Sequence, residues 1–261
     1  MTEPRVTEPL ETEPRVTEPL MTGALVASPR RRQLLAEVAD RVLAVAGAGG
    51  ARVGVDGVDG AGKTTFAAEL AAALRSRGRE TVHLSADGFH QQRARRHRRG
   101  RDSAEGFWLD SYDYAALRTG VLEAFGSGGS GRYREASHDL ASDRLLDGPW
   151  HEAPSNAILV LDGLFLHRDE LVQEWDFSIF LRVPFAVSVA RMAERDGTDP
   201  DPGHAGNSPL RRRSASLLRG LLTLGPGESG DRQHHSDRAP DRPRMTVPDR
   251  TRPLVATQWH L

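Results

Sequence analysis

Gly57-x-x-x-x-Gly62-Lys63-Thr64 puts two glycines, a lysine and a hydroxyl in one short run. This is the Walker A spacing. Glycines let the backbone wrap a phosphate with its N–H groups turned inward, and a helix starting there adds its positive end. Lys63 would reach the terminal phosphates as a point charge, and Thr64 would ligate Mg2+. The run Gly57, Val58, Asp59, Gly60, Ala61, Gly62, Lys63, Thr64 and Thr65 is therefore the candidate cradle for ATP. Lys63 is the only lysine in the chain; every other residue in the Lys and Arg total of 35 is arginine. A chain so biased keeps a lysine where a flat guanidinium will not fit.

A phosphate cradle needs partners. Asp87, in "LSADGFH" (84–90), sits where a strand should end, on the sheet edge where open α/β folds bind ligands. A carboxylate there can accept a proton from an acceptor hydroxyl; a turn or helix-capping role is the alternative. Asp162, closing "AILVLDG", is placed to act on the metal directly or through water. Arg191 and Arg195 in "ARMAERDG" are i,i+4 neighbours that could cover the transferred phosphoryl group, or form an ordinary solvated face with Glu194 and Asp196. The guanine-reading Asn-Lys-x-Asp element of GTPases is excluded by the missing second lysine, and no "LSGGQ" run is present. A small-molecule kinase remains.

The surrounding pattern predicts elements that would hold these residues. Ser28 caps a helix opened by Pro29, with an apolar stripe of Leu34, Leu35, Val38, Val42, Leu43 and Val45. Strands are expected at 51–57, 81–87, 156–163 and 177–183. Helices are expected at 63–77, at 112–125, and from Pro184 to about Arg195. Strands alternating with helices give an α/β fold with a mainly parallel sheet and helices on both faces. "GSGGSG" (126–131) reads as a flexible connection.

Composition sets the limits. Hydrophobic content is 38%, low for 261 residues, and net charge is −1, so no global field draws in nucleic acid or anionic membrane. Without cysteine there is no disulfide or thiolate metal site. The longest apolar run is too short to span a bilayer, and nothing resembles a signal peptide, so a cytoplasmic protein without membrane contact is expected. A homo-oligomer stays open. Residues 1–27, dominated by a repeated Pro-containing decapeptide, read as a disordered leader, 28–205 as the catalytic domain and 206–261 as an aberrant, largely disordered tail. "RARRHRRGR" (93–101) could bind a substrate phosphate or nucleic acid, but the near-neutral chain favours an exposed, mobile loop beside the acceptor pocket.

Together these residues resemble the uridine kinase family of P-loop kinases, with its phosphoribulokinase-like and pantothenate kinase-like branches, over roughly residues 30–205. "SADGFH" is similar to the family element whose Asp is the base. The resemblance gives Asp87 that role and puts Phe89 and His90 at the acceptor. "EGFWLDSYDY" (105–114) resembles an acceptor-side segment and implicates Tyr112 and Asp113. "YREASHD" (133–139) resembles an acceptor strip and implicates Tyr133 and His138. The resemblance implies ATP-dependent phosphorylation of a hydroxyl on a nucleoside or similar small molecule, with nucleic acid no partner. Asp162 stands where the family has Glu, a shorter reach to the metal.

After the segment of Arg191 and Arg195, which the resemblance makes a lid, the family continues with a helix and a sheet strand, resembling "RYVxGQRLY…VIDN". Here residues 209–236 read "PLRRRSASLLRGLLTLGPGESGDRQHHS". Decoded one nucleotide later, with permissible codons, the same stretch reads "RYGVGQRLYFAACSPWDRASRVIDNTTA". A single-nucleotide frame slip near residues 204–209 is the expectation, and with it loss of the C-terminal strand.

Overall fold

The structure is a computed structural model that describes residues 28–207, 210–211, 214 and 254–257. The leader (1–27) and most of the tail, including all but residues 210–211 and 214 of the stretch 209–236, lie outside the described residues. Helix α1 (Pro29–Ala46) begins as its sequence dictates: the Ser28 side chain accepts from the Arg31 N–H, and proline fills the first turn. Its buried stripe is Leu35, Val38, Ala39, Val42 and Ala46. Val45, expected in that stripe, is half exposed, because the helical period hands the inner face to Ala46 one position on.

The core is a five-stranded parallel sheet whose strands lie in the order 81–85, 158–162, 51–57, 177–182 and 254–257. The strands are β1 (Ala51–Gly57), β2 (Thr81–Ser85), β7 (Ile158–Asp162), β8 (Phe177–Arg182) and β9 (Leu254–Thr257). Every residue of β7 is buried, as a strand covered on both faces requires. Its Ile158, Leu159 and Leu161 are fully buried, each contributing about 1.5–3 kcal/mol. β9 pairs parallel with β8, Ile179 opposite Leu254 and Arg182 opposite Thr257. This corrects the expected loss of the C-terminal strand: a short segment near the chain end takes the outer place, so the edge of β8 finds backbone partners.

Helix α2 (Lys63–Arg75) follows β1 and covers the sheet with Phe66, Leu70 and Leu74. Between β2 and β7 the chain makes a long excursion. A short 3-10 turn (Ala86–Phe89) leads to α3 (Arg93–Arg96), α4 (Ala104–Asp110) and α5 (Tyr114–Gly120). The helix expected over 112–125 stops at Val121, whose φ of −135° leaves the helical region, and a 3-10 turn (Leu122–Ala124) replaces its end. Two small hairpins follow: β3 (Arg132–Tyr133) with β6 (His151–Glu152), and β4 (His138–Asp139) with β5 (Arg144–Leu145). The Gly/Ser run expected as a flexible connection is a closed turn, with the Gly131 N–H bonded to the Ala124 carbonyl at 2.9 Å. Helix α6 (Phe185–Asp196) follows β8.

The arginine run is exposed over much of its length, as expected, but several of its side chains are paired. Arg98 and Arg99 both pair with the buried Asp110 carboxylate, and Arg96 lies 3.6 Å from Asp143. Burial alone would push the Asp110 carboxyl up. The two guanidiniums outweigh it and hold it below its usual range. Among the described residues no helix is long and apolar enough to cross a membrane.

Candidate active site

Strand register assembles the site. Asp162 stands opposite Val55 on one side and Ser85 on the other. The carboxyl ends of β1, β7 and β2 therefore lie side by side, where open α/β sheets bind ligands. A cleft of about 440 Å³ opens there. Asp59, Lys63, Thr64, Asp87, Asp162, Arg191 and Arg195 are among its lining residues.

The loop from β1 into α2 forms the floor. Gly60 and Gly62 take left-handed conformations (φ +70° and +84°). At Gly60 a Cβ would stand 2.5 Å from the Ser188 carbonyl oxygen, so α6 packs directly on the loop. The Ser188 hydroxyl donates to the Asp59 carbonyl, and an Arg191 guanidinium N–H donates to the Ala61 carbonyl at 3.3 Å. Lys63 Nζ donates to the Gly57 and Val58 carbonyls at 3.1 and 3.0 Å, folding the side chain back over the loop. Below, the buried Asp56 braces the turn: Oδ1 accepts from the Gly57 N–H at 2.7 Å, and Oδ2 meets the His167 N–H and Nδ1, both at 3.0 Å.

Thr64 and Asp162, the two residues expected on the metal side, come together, Oγ1 donating to Oδ1 at 2.8 Å. Two residues that motif reading missed complete the arrangement. Ser85 Oγ donates to the same oxygen at 3.3 Å, and His83 Nε2 lies 2.8 Å from Oδ2. A histidine inside the short strand TVHLS, between Val82 and Leu84 and two residues before that serine, was the available signal. The hydroxyl and carboxylate are hard oxygens suited to Mg2+, and the glycine loop leaves room for phosphate that side chains would fill. The residues thus fit a Mg–nucleotide, held by the loop's N–H groups, Lys63, Thr64 and Asp162. Among the described residues no group of three or more His, Asp or Glu could hold a metal ion.

Asp87 does not end a strand. It lies in the 3-10 turn after β2, exposed, with its N–H bonded to Ser85 Oγ, and it lines the cleft. Arg191 and Arg195 both line the cleft from α6. Arg195 also makes a two-pronged pair with Asp196, at 2.7 and 2.8 Å, the solvated-face alternative of the sequence reading.

The acceptor-side residues are less uniform. His90 is close to Asp87, its Nδ1 2.8 Å from the Asp87 carbonyl. Burial holds its imidazole below the ordinary value, against the opposing pull of Asp87. Phe89 is fully buried and packs on the core, so it offers the acceptor no surface. Tyr112 is buried too, its hydroxyl turned to Asp87. Asp113 caps α5 through the Ala116 N–H at 3.0 Å, a structural use of its carboxylate. Tyr133 stacks on His151 in the first hairpin, ring centres 5.4 Å apart. His138 is buried in the second, with Nε2 3.2 Å from Asp143. None of these six residues lines the cleft.

The model of the phosphoribulokinase / uridine kinase family matches residues 53–205. The chain belongs to this kinase family. The match begins in β1 and ends beyond α6, so it contains every residue of the cleft. A structure described as a possible uridine kinase from Bacillus stearothermophilus superposes with a TM-score of 0.58 at 19% identity, covering 75% of this chain and 95% of that one. Another, described as a candidate fructose transport system kinase from Silicibacter sp. TM1040, gives 0.55 at 24% identity, covering 72% and 94%. These likenesses establish the P-loop kinase fold. No curated protein matches the chain.

Proposed function

We propose that this family member transfers the γ-phosphoryl group of ATP, with Mg2+, to a hydroxyl of a nucleoside or similar small polyol. One observation carries the reading: the exposed Asp87 carboxylate shares a cleft with Lys63, Thr64, Asp162 and two lid arginines. Asp87 accepts the proton of the acceptor hydroxyl as that oxygen bonds to the γ-phosphorus. The bond from phosphorus to the bridging oxygen breaks, and ADP leaves with its electrons. Lys63, Arg191 and Arg195 balance the charge on the transferred group.

An ADP-release screen over uridine, cytidine, fructose and pantothenate tests this. One acceptor should accelerate release, and Asp87→Asn should lower that rate about 10²–10⁴-fold, the usual worth of a general base, with nucleotide affinity retained. Asp87→Asn at the wild-type rate refutes the assignment.

A further inference from the structure

Asp87 is an exposed side chain, and exposed carboxylates turn freely unless something holds them. Its main chain is fixed from three directions. The Ser85 hydroxyl accepts from its N–H, and the His90 ring meets its carbonyl. The segment around Ala136 presses on Gly88, where a Cβ would stand 2.8 Å from the Glu135 carbonyl oxygen. That leaves the carboxylate's own rotation, and among the described residues the Tyr112 hydroxyl restrains it, donating to Asp87 Oδ1 at 2.9 Å.

Tyr112 is built for that task. It is 3% exposed, so its hydroxyl needs a partner inside the protein. Its backbone forms an antiparallel bridge with His90, flanked by Gln91 N–H to Ser111 carbonyl (2.9 Å) and Asp113 N–H to Phe89 carbonyl (2.8 Å). Its ring lies 4.4 Å from His90 and 6.2 Å from the fully buried Phe165, centre to centre. Burial first, and then the charge of Asp87, keep the phenol protonated far above its ordinary range, so it always donates.

We infer that Tyr112 is the positioning residue for Asp87: its hydroxyl occupies Oδ1, fixes the carboxylate plane and leaves Oδ2 to take the acceptor's proton. Tyr112 therefore acts on turnover without touching the acceptor, unlike the acceptor contact its sequence context suggested.

The inference rests on Asp87 being the base, and a double-mutant cycle separates the two claims. Tyr112→Phe keeps the packed ring and removes only the hydroxyl. With the acceptor found in the screen, it should lower kcat about tenfold, the worth of one hydrogen bond to a charged group, and leave the KM for ATP unchanged. Added to Asp87→Asn, it should change nothing further. An unchanged kcat in Tyr112→Phe, or the same loss in both backgrounds, overturns the inference. Urea unfolding repeats the cycle without an acceptor. Tyr112→Phe should raise the unfolding constant about tenfold in the wild type and not at all beside Asp87→Ala; equal effects overturn it. If Asp87→Asn turns over at the wild-type rate, the base assignment falls, and the unfolding cycle still judges the Tyr112–Asp87 bond.

Discussion

Gly60→Ala tests whether α6 really braces the phosphate loop. Two independent penalties meet there. The residue has φ +70°, and a side chain in the left-handed region costs about 1–2 kcal/mol. The added Cβ would also stand 2.5 Å from the Ser188 carbonyl oxygen, 3.0 Å from its hydroxyl and 3.2 Å from Met192 Cγ. Overpacking of this kind costs about 1–3 kcal/mol. Gly78, in the turn after α2, supplies the control. Its φ is +76°, but nothing lies within 4 Å of the added carbon. Gly78→Ala should therefore cost only the conformational part, about 1–2 kcal/mol, and Gly60→Ala about 2–5 kcal/mol. Relief requires α6 to withdraw by close to 1 Å, and a misplacement of that size costs about 10²-fold in rate. Urea unfolding followed by tryptophan fluorescence, with ADP release on the same samples, measures both effects. If Gly60→Ala matches Gly78→Ala in stability and turnover, the loop does not lean on α6.

Two further outcomes are expected. Burial raises all three tyrosines, with the charges of Asp87 adding at Tyr112 and Glu135 at Tyr133, while Tyr114 is pushed up to about 12 despite Arg168. Unfolded phenols ionise near about 10, so this stabilisation is intact below that pH and is lost as pH rises through the folded values. A phenolate absorbance titration should place the native curve above the urea-unfolded one, and coincident curves would falsify it. Resequencing of the codons for 209–236 should find them compatible with the second reading beginning "RYGVGQRLY"; an incompatible codon set ends the frame-slip account.

Local chemistry was the legible part of this chain. Ser28, Pro29 and Gly47 bound α1 because capping is a matter of neighbours. The phosphate loop and Asp162 were readable because glycine spacing and a buried strand end are local as well. The excursion between β2 and β7 was not. Its strands are two residues long, too short to show a period, and they are held by turns and packing. Tyr112 lies 25 positions from Asp87, and only a bridge between distant segments joins them. His83 likewise meets Asp162 across 79 positions, through strand register alone. The fifth strand comes from near the end of the chain, where composition gave no sign of a sheet partner.

Lys63 folded over the loop carbonyls has a consequence for protein chemistry. Apart from the α-amino group, it is the only primary amine the polypeptide offers. An acylating reagent therefore reports on one side chain, and ATP bound over that nitrogen should shield it. Mass spectrometry of a single acylated peptide then becomes a titration of nucleotide occupancy, with no engineered probe. The same arithmetic limits the cell: acetylation or ubiquitin conjugation at a lysine of this chain has one address, in the phosphate loop itself.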